Sequence, residues 1–301
     1  METHRAMVRA FAGTYVSDVR NTLRRPMARN IQSSRMRPAR SGGRLIETEM
    51  EIRTPDGMGD GLFYQPERNG SWPGVFFFTD ITGIRTSQRA MAARICSEGY
   101  ALLMPNLFYR TGMPPLFEPG AKFGDEKFTK RMAELLSPLT PKAIERDADS
   151  YVDFLARQYA VKKGPFGAVG LCVSGATVLR MAAARPDQIA AGASFHGGRL
   201  YTHAPASPHL LLPRIKARLY FGHAVKDNSM PQEAIDNFNR ALQAWGGKYE
   251  SEVYAGAQHG RTVTDSPAYN PPQERAERRW SSSFRARVIS SLGCESLPAE
   301  P

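Results

Sequence analysis

Cysteine is scarce in this chain: three residues in 301, at positions 96, 172 and 294. They are too few, too widely spaced and odd in number for a disulfide framework, which points to a reducing compartment, the cytoplasm. No apolar run approaches the ~20 residues needed to span a bilayer, and no secretory h-region is visible, so neither a membrane nor an exported protein is expected. Metal-ligand spacings are missing as well. There is no Cys-x-x-Cys or His-Glu-x-x-His, and His196, His203, His209 and His223 show no short spacing to carboxylates or thiols. Without Gly-x-Gly-x-x-Gly or Gly-Lys-Ser/Thr, a nucleotide cofactor is not expected either. The expectation is an activity that needs no metal and no cofactor.

Acidic residues are the other shortage, 29 Asp and Glu against 40 Lys and Arg, for a formal net charge of +11. Residues 1–44 hold ten arginines and no lysine against Glu2 and Asp18, a net +8, leaving +3 for the rest. The excess therefore belongs to a terminal segment without a hydrophobic core pattern, which reads as a disordered extension over 1–44. Its Arg-rich, acid-poor composition is shared by organellar transit peptides, and an upstream start is the alternative, since Met36 or Met50 would each begin a nearly complete domain; a dispensable extension is expected in preference to a functional address. A nucleic-acid footprint needs a basic stripe on a folded surface, and nothing past residue 44 suggests one.

At 42% hydrophobic and 23% charged residues, the remainder can bury one substantial core. Residues 45–53 alternate as a strand, Asp56-Gly57 marks a turn and 61–65 pairs back, an antiparallel opening hairpin. Strand and helix signals then alternate: strand 75–79, helix 87–98, strand 100–104, a Gly- and Pro-rich loop from 111 to 138, and helix 141–159 behind Thr140-Pro141. Strand 189–195, strand 217–221, helix 232–245, strand 249–254 and a last helix near 272–292 complete the pattern. This predicts an α/β fold, a mostly parallel central sheet with helices on both faces. One domain over 45–292 and a short tail, 293–301, follow. Phe117, Phe123 and Phe128 in the 111–138 loop either roof a pocket or anchor the loop, and 205–213 is a second long connection.

The most informative stretch is 167–183, an apolar run, one Cys between small residues, then a helix-forming segment. That is the shape of a nucleophile elbow, a strand reversing into a helix with Cys172 at its apex. The apex residue is forced into strained backbone, so its neighbours must be small; Gly170 stands two before it, and Ser174 and Gly175 follow. The helix N-terminus behind it favours a thiolate. By itself this pattern also fits a small buried residue ending a strand, as most free cysteines are. Two residues downstream favour a nucleophile: Asp227 and His259 each follow an apolar stretch that reads as a strand. Nucleophile, acid, histidine is the chain order of α/β-hydrolases, so Cys172, Asp227 and His259 are the expected catalytic triad. The backbone N–H groups of Val173 and Ile81 are the expected oxyanion donors. An elbow shifted by two residues would make Ser174 the nucleophile instead.

Four blocks resemble the dienelactone hydrolases, also called carboxymethylenebutenolidases. They are Pro73-Gly-Val-Phe-Phe-Phe-Thr-Asp-Ile-Thr-Gly-Ile84, Gly99-Tyr-Ala-Leu-Leu-Met-Pro-Asn-Leu-Phe-Tyr-Arg110, the Cys172 elbow running on to Gly198, and the Asp227 and His259 segments. The resemblance spans about residues 45–292. It implies an α/β-hydrolase fold and cofactor-free hydrolysis of small esters or lactones through a Cys-His-Asp triad and an acyl-thiol intermediate. It also implies an acidic residue paired with an arginine that tunes the nucleophile or meets the substrate; Asp80 and Arg110 occupy those places. The chain departs from the family in carrying Ser174 where Gly is usual and Asp80 where Glu is usual, and the shorter carboxylate weakens the tuning role. A plain salt bridge between Asp80 and Arg110 is the alternative to it.

A substrate carboxylate would be met by Arg110 or by Arg261, unless Arg261 is an ordinary solvated loop residue; His196 is expected as a hydrogen-bonded loop histidine. The competing functions are a noncatalytic scaffold binding a small acid or a protein partner, and an acyl transferase or thioesterase on the same triad. A monomer is expected, with a small ester or lactone as its partner and neither nucleic acid nor membrane.

Overall fold

Residues 74–78, 101–105 and 166–171 are apolar along their whole length, as strands covered on both faces must be. The computed structural model describes residues 35–37 and 44–272, and in it these runs are β4 (Gly74–Phe78), β5 (Ala101–Pro105) and β6 (Phe166–Leu171), buried at every position. Around them are β1 (Arg35–Arg37), the hairpin of β2 (Leu45–Thr54) and β3 (Gly57–Pro66), then β7 (Ile189–Phe195), β8 (Arg218–Lys226) and β9 (Tyr249–Gln258). The nine strands form one sheet in the order β1-β2-β3-β5-β4-β6-β7-β8-β9. β1 to β3 pair antiparallel, β3 joins β5 antiparallel, and every pairing from β5 through β9 is parallel.

The pleat sorts alternate residues into two cores. Phe76 and Phe78 of β4 join one apolar cluster and Val75 and Phe77 the other. The first is completed by α3 (Pro141–Ala156), α4 (Gly175–Ala184) and α5 (Gln232–Trp245), through Tyr151, Val178 and Phe238 among others. The second is completed by α1 (Thr86–Ser97), through Met91, Ala92 and Cys96. Burial pushes the Cys96 thiol up to about 12, as suits a packing residue. The N-cap read from the sequence forms, Thr140 Oγ1 accepting from the Ala143 amide behind Pro141; Gly246, at φ 68°, ends α5.

Three features differ from expectation. The Gly- and Pro-rich loop gives way to a helix, α2 (Glu126–Leu136), which buries Phe128 and Leu135. Its stripe of Phe128, Met132, Leu135 and Leu136 is regular, but the glycines and prolines just before it favour a loop reading. Phe117 stacks on Phe128 at 4.3 Å and Phe123 lies against the same ring, the anchoring arrangement. β8 and β9 also run several residues beyond the predicted ends, and a strand at 35–37 falls inside the segment read as a disordered extension. The rest of that extension, most of the helix expected over 272–292 and the tail with Cys294 lie outside the described residues.

β4 sits between β5 and β6, so the chain winds to one side of β4 and then to the other. The loops after β4 and β6 therefore diverge around a crevice at the carboxyl ends of the strands. Phe76, fully buried and edge-on to Phe166 at 5.8 Å, anchors this centre. Phe76→Ala is expected to cost about 3–5 kcal/mol of stability, measured from urea unfolding midpoints.

Candidate active site

The turn after β6 begins at Cys172, whose φ of 56° places it in the left-handed region, a strain of order 1–3 kcal/mol for a residue with a Cβ. Close packing holds it there. A Cβ on Gly170 would run into the Ser174 carbonyl, and one on Gly175 into Ser194 and Gly197. The Gly198 amide donates to the Cys172 carbonyl at 3.1 Å. Ser174 is fully buried, its hydroxyl satisfied by the backbone: it donates toward Phe78 O at 2.9 Å and Leu171 O at 2.8 Å and accepts from Leu171 N at 2.9 Å. The frame with Ser174 at the apex is thus not the one adopted. Ser174 staples the turn, and the side chain at the crevice is Cys172.

Asp227 and His259 are the first residues past two neighbouring parallel strands, whose last members, Lys226 and Gln258, are in register. The strand extensions missed from the sequence carry both residues to the same level. His259 Nε2 lies 2.9 Å from Cys172 Sγ, and His259 Nδ1 lies 2.7 Å from Asp227 Oδ2. The other carboxylate oxygen accepts from the Ser229 amide at 2.9 Å and its hydroxyl at 2.6 Å. Burial works against a charged imidazole, but Asp227 and then Cys172 outweigh it and raise His259 to about 10. Asp227 is lowered: burial opposes its charge, and His259 and Ser229 prevail.

The loop after β4 uses the same local device. Asp80 Oδ1 accepts from the Thr82 amide at 2.9 Å and hydroxyl at 2.6 Å, the Asp-x-Ser/Thr turn that Asp227 and Ser229 form after β8. Arg85 adds a bidentate pair at 2.8 and 2.9 Å, and buried Gln88 donates to Oδ2 at 3.0 Å. Ile81 and Val173, whose amides are the expected oxyanion donors, directly follow Asp80 in the loop after β4 and Cys172 in the turn after β6.

Residues 60–286 match the model of the dienelactone hydrolase family. The chain belongs to that family. It is a dienelactone hydrolase-like enzyme, a hydrolase of the carboxylic ester class on an α/β-hydrolase fold. It is 26% identical over 212 residues to the carboxymethylenebutenolidase of Rhodococcus opacus, covering 70% of this chain and 79% of that protein. Over 202 residues it is 29% identical to hydrolase tropI of Talaromyces stipitatus, covering 65% and 73%. A candidate dienelactone hydrolase from Klebsiella pneumoniae has the same fold, with a TM-score of 0.70 at 23% identity over 81% of this chain and 98% of that one.

In this dienelactone hydrolase-like chain the expected pairing of Asp80 with Arg110 does not form. Arg110 turns to α3, bidentate to the buried Asp147 at 2.8 Å and bonded to Asp56 at 2.7 and 3.0 Å, with Tyr109 also donating to Asp147. Two carboxylates on that side hold the guanidinium, and Asp80 takes its cation from five residues along its own loop. Arg261 is no solvated loop residue. It is completely buried, donating to the Gly222 carbonyl and stacked over the Tyr254 ring at 4.3 Å. His196 is a hydrogen-bonded loop histidine, buried, with Nε2 3.0 Å from Thr262 Oγ1 and its ring 5.0 Å from His259. Among the described residues no group of three or more His, Cys, Asp or Glu is arranged to hold a metal ion. Arg85, Gln88, Ser229 and Thr262 were not singled out from the sequence. The paired Asp-x-Ser/Thr spacing after two strands was a legible signal for Ser229 and Thr82; the others act across the fold.

Two outcomes follow from this geometry. Ser174→Ala leaves buried backbone groups unsatisfied and is expected to cost about 1–3 kcal/mol in urea unfolding, while Cys172 stays open to thiol labelling. Folded His259 keeps its proton to about pH 10 against an ordinary imidazole value of 6.5, so its contribution to stability is complete below about pH 6.5 and fades as pH rises toward 10. Urea midpoints measured between pH 6 and 10 should decline less in His259→Gln than in the parent.

Proposed function

We propose that the protein hydrolyses small esters or lactones through an acyl-thiol intermediate on Cys172, with His259 and Asp227 completing the triad. The observation that carries this reading is the continuous line from Cys172 Sγ to His259 Nε2 at 2.9 Å and from Nδ1 to Asp227 Oδ2 at 2.7 Å, at the crevice where the strand order reverses. In the first half-reaction the sulfur of Cys172 bonds to the carbonyl carbon, and the negative oxygen that develops is met by the amides of Ile81 and Val173. The tetrahedral species collapses, the C–O bond breaks, and the departing alkoxide takes the proton from His259 Nε2. A lactone would stay tethered as an acyl chain bearing its own hydroxyl.

In the second half-reaction His259 takes a proton from water as the oxygen attacks the thioester carbon. The C–S bond then breaks, returning sulfur to Cys172 and releasing the acid. Asp227, held by Ser229, keeps Nδ1 engaged so that Nε2 faces the sulfur. The raised basicity of His259 supports its holding a proton while Cys172 attacks. The reading makes the chain a monomer working in the cytoplasm, and the free thiols of Cys96 and Cys172 are consistent with that compartment.

The test is hydrolysis of p-nitrophenyl acetate and of dienelactone by the parent, Cys172→Ala, His259→Ala and Ser174→Ala, with mass spectrometry of the enzyme during turnover. Cys172→Ala and His259→Ala are expected to lose about three orders of magnitude or more in kcat/KM. An acyl adduct should form on the parent and on Ser174→Ala but not on Cys172→Ala. A parent that neither turns over nor acylates would leave a scaffold in place of an enzyme. Release of the acyl group to an alcohol or amine in preference to water would make it a transferase.

A further inference from the structure

The guanidinium of Arg85 stands between two loops of the candidate site and spends every N–H on them. Nη1 and Nη2 donate to Asp80 at 2.8 and 2.9 Å, Nε and Nη2 donate to Asp265 at 2.9 and 3.0 Å, and Nη1 also reaches the Gly83 carbonyl at 3.2 Å. Burial opposes its charge, yet the two carboxylates keep Arg85 more firmly protonated than usual, and Arg85 in turn overcomes the burial of Asp265 and lowers it. Asp80 opens the turn that presents the Ile81 amide and is closed by Gly83 N on Asp80 O at 3.0 Å. Asp265 lies six residues past His259. Between them the chain runs through successive tight turns, Arg261 to Gln258, Val263 to Gly260 and Ser266 to Val263, with Val263 buried in the second core. A pull on Asp265 is therefore transmitted to His259 with little slack.

We infer that Arg85 is a positioning residue, clamping the loop of the Ile81 amide to the loop of His259 so that the oxyanion donor and the proton carrier keep a set separation. The inference rests on the function proposed above. A lysine in its place would supply one point charge and could not hold two carboxylates in bidentate fashion.

The experiment compares Arg85→Gln, Arg85→Lys and Asp265→Asn in the full chain. Two rates are measured on each, hydrolysis of p-nitrophenyl acetate and alkylation of Cys172 by iodoacetamide. Alkylation forms a C–S bond and expels iodide without building an oxyanion, so it reports the Cys172–His259 pair alone. Arg85→Gln and Arg85→Lys are expected to lower kcat about 10- to 100-fold with KM moving less than about threefold, because positioning acts on the transition state. Asp265→Asn, at a half-exposed carboxylate, should follow in the same direction with a smaller loss. Alkylation should stay within about twofold of the parent in all three, since Asp227, just past its own strand, still holds the His259 ring against the sulfur and only the separation from the Ile81 amide is lost. An unchanged kcat in Arg85→Gln, full rescue by lysine, or alkylation falling in step with kcat would overturn the clamp. Should Arg85→Gln not fold, the Asp265→Asn comparison decides alone. Full turnover by Cys172→Ala would instead overturn the acyl-thiol function and, with it, the pairing of groups that the clamp is inferred to align.

Discussion

The whole site hangs on a backbone reversal too tight for ordinary side chains. Between Leu171 and Gly175 the chain leaves a strand and enters a helix with Cys172 at φ 56°, and the strain is sustained because Gly170 and Gly175 admit their neighbours at distances no Cβ would allow. Ser174 does in this turn what a glycine cannot. Its hydroxyl bonds Leu171 and also the last carbonyl of β4, Phe78, joining the strand that ends at Cys172 to the strand that leads to Asp80. The usual glycine would leave the turn sterically free but untethered.

From that staple the contacts close into a ring. β4 leads to Asp80, Asp80 to Arg85, Arg85 to Asp265, and the chain returns through tight turns to His259, which faces Cys172. The Arg85–Asp265 and His259–Cys172 links join residues 180 and 87 positions apart, whereas Asp80 and Arg85 are five apart in one loop. A carboxylate receiving five donors, as Asp80 does, is a rigid part of the frame. The family pattern suggested a carboxylate paired with Arg110 and able to influence the thiol; in this chain the shorter Asp is used up in holding its own loop.

Charge is distributed around the pair of histidines so that one of them carries it. His259 is addressed by Asp227 and Cys172 and is raised to about 10, whereas His196, 5.0 Å away, is pushed far down by burial, by His259 and by the nearby Arg261. His223 is lowered to about 4 by burial and by the same arginine. Burial first, with Arg261 adding to it, makes protonation unfavourable at His196 and His223, whereas His259 has a carboxylate partner that outweighs its burial.

The sequence by itself determined the layered α/β architecture, since hydrophobic runs buried on both faces and helical stripes between them are local patterns with one packing solution. It also marked the residues that meet at the crevice: small residues around Cys172, and an Asp and a His each just past a strand, can be read in order along the chain. Helix α2 carries a legible stripe, Phe128, Met132, Leu135 and Leu136, but glycines and prolines crowd the segment just before it and favour a loop reading. Only the tertiary structure decided the ion pairs. Arg85, Arg110 and Arg261 look alike in sequence, and each had several carboxylates or carbonyls within reach of some conformation. Which partner each took depended on where α1, α3 and the turns after β9 were packed. A long flexible cation pairs across the fold, and no local pattern along the chain encodes that choice.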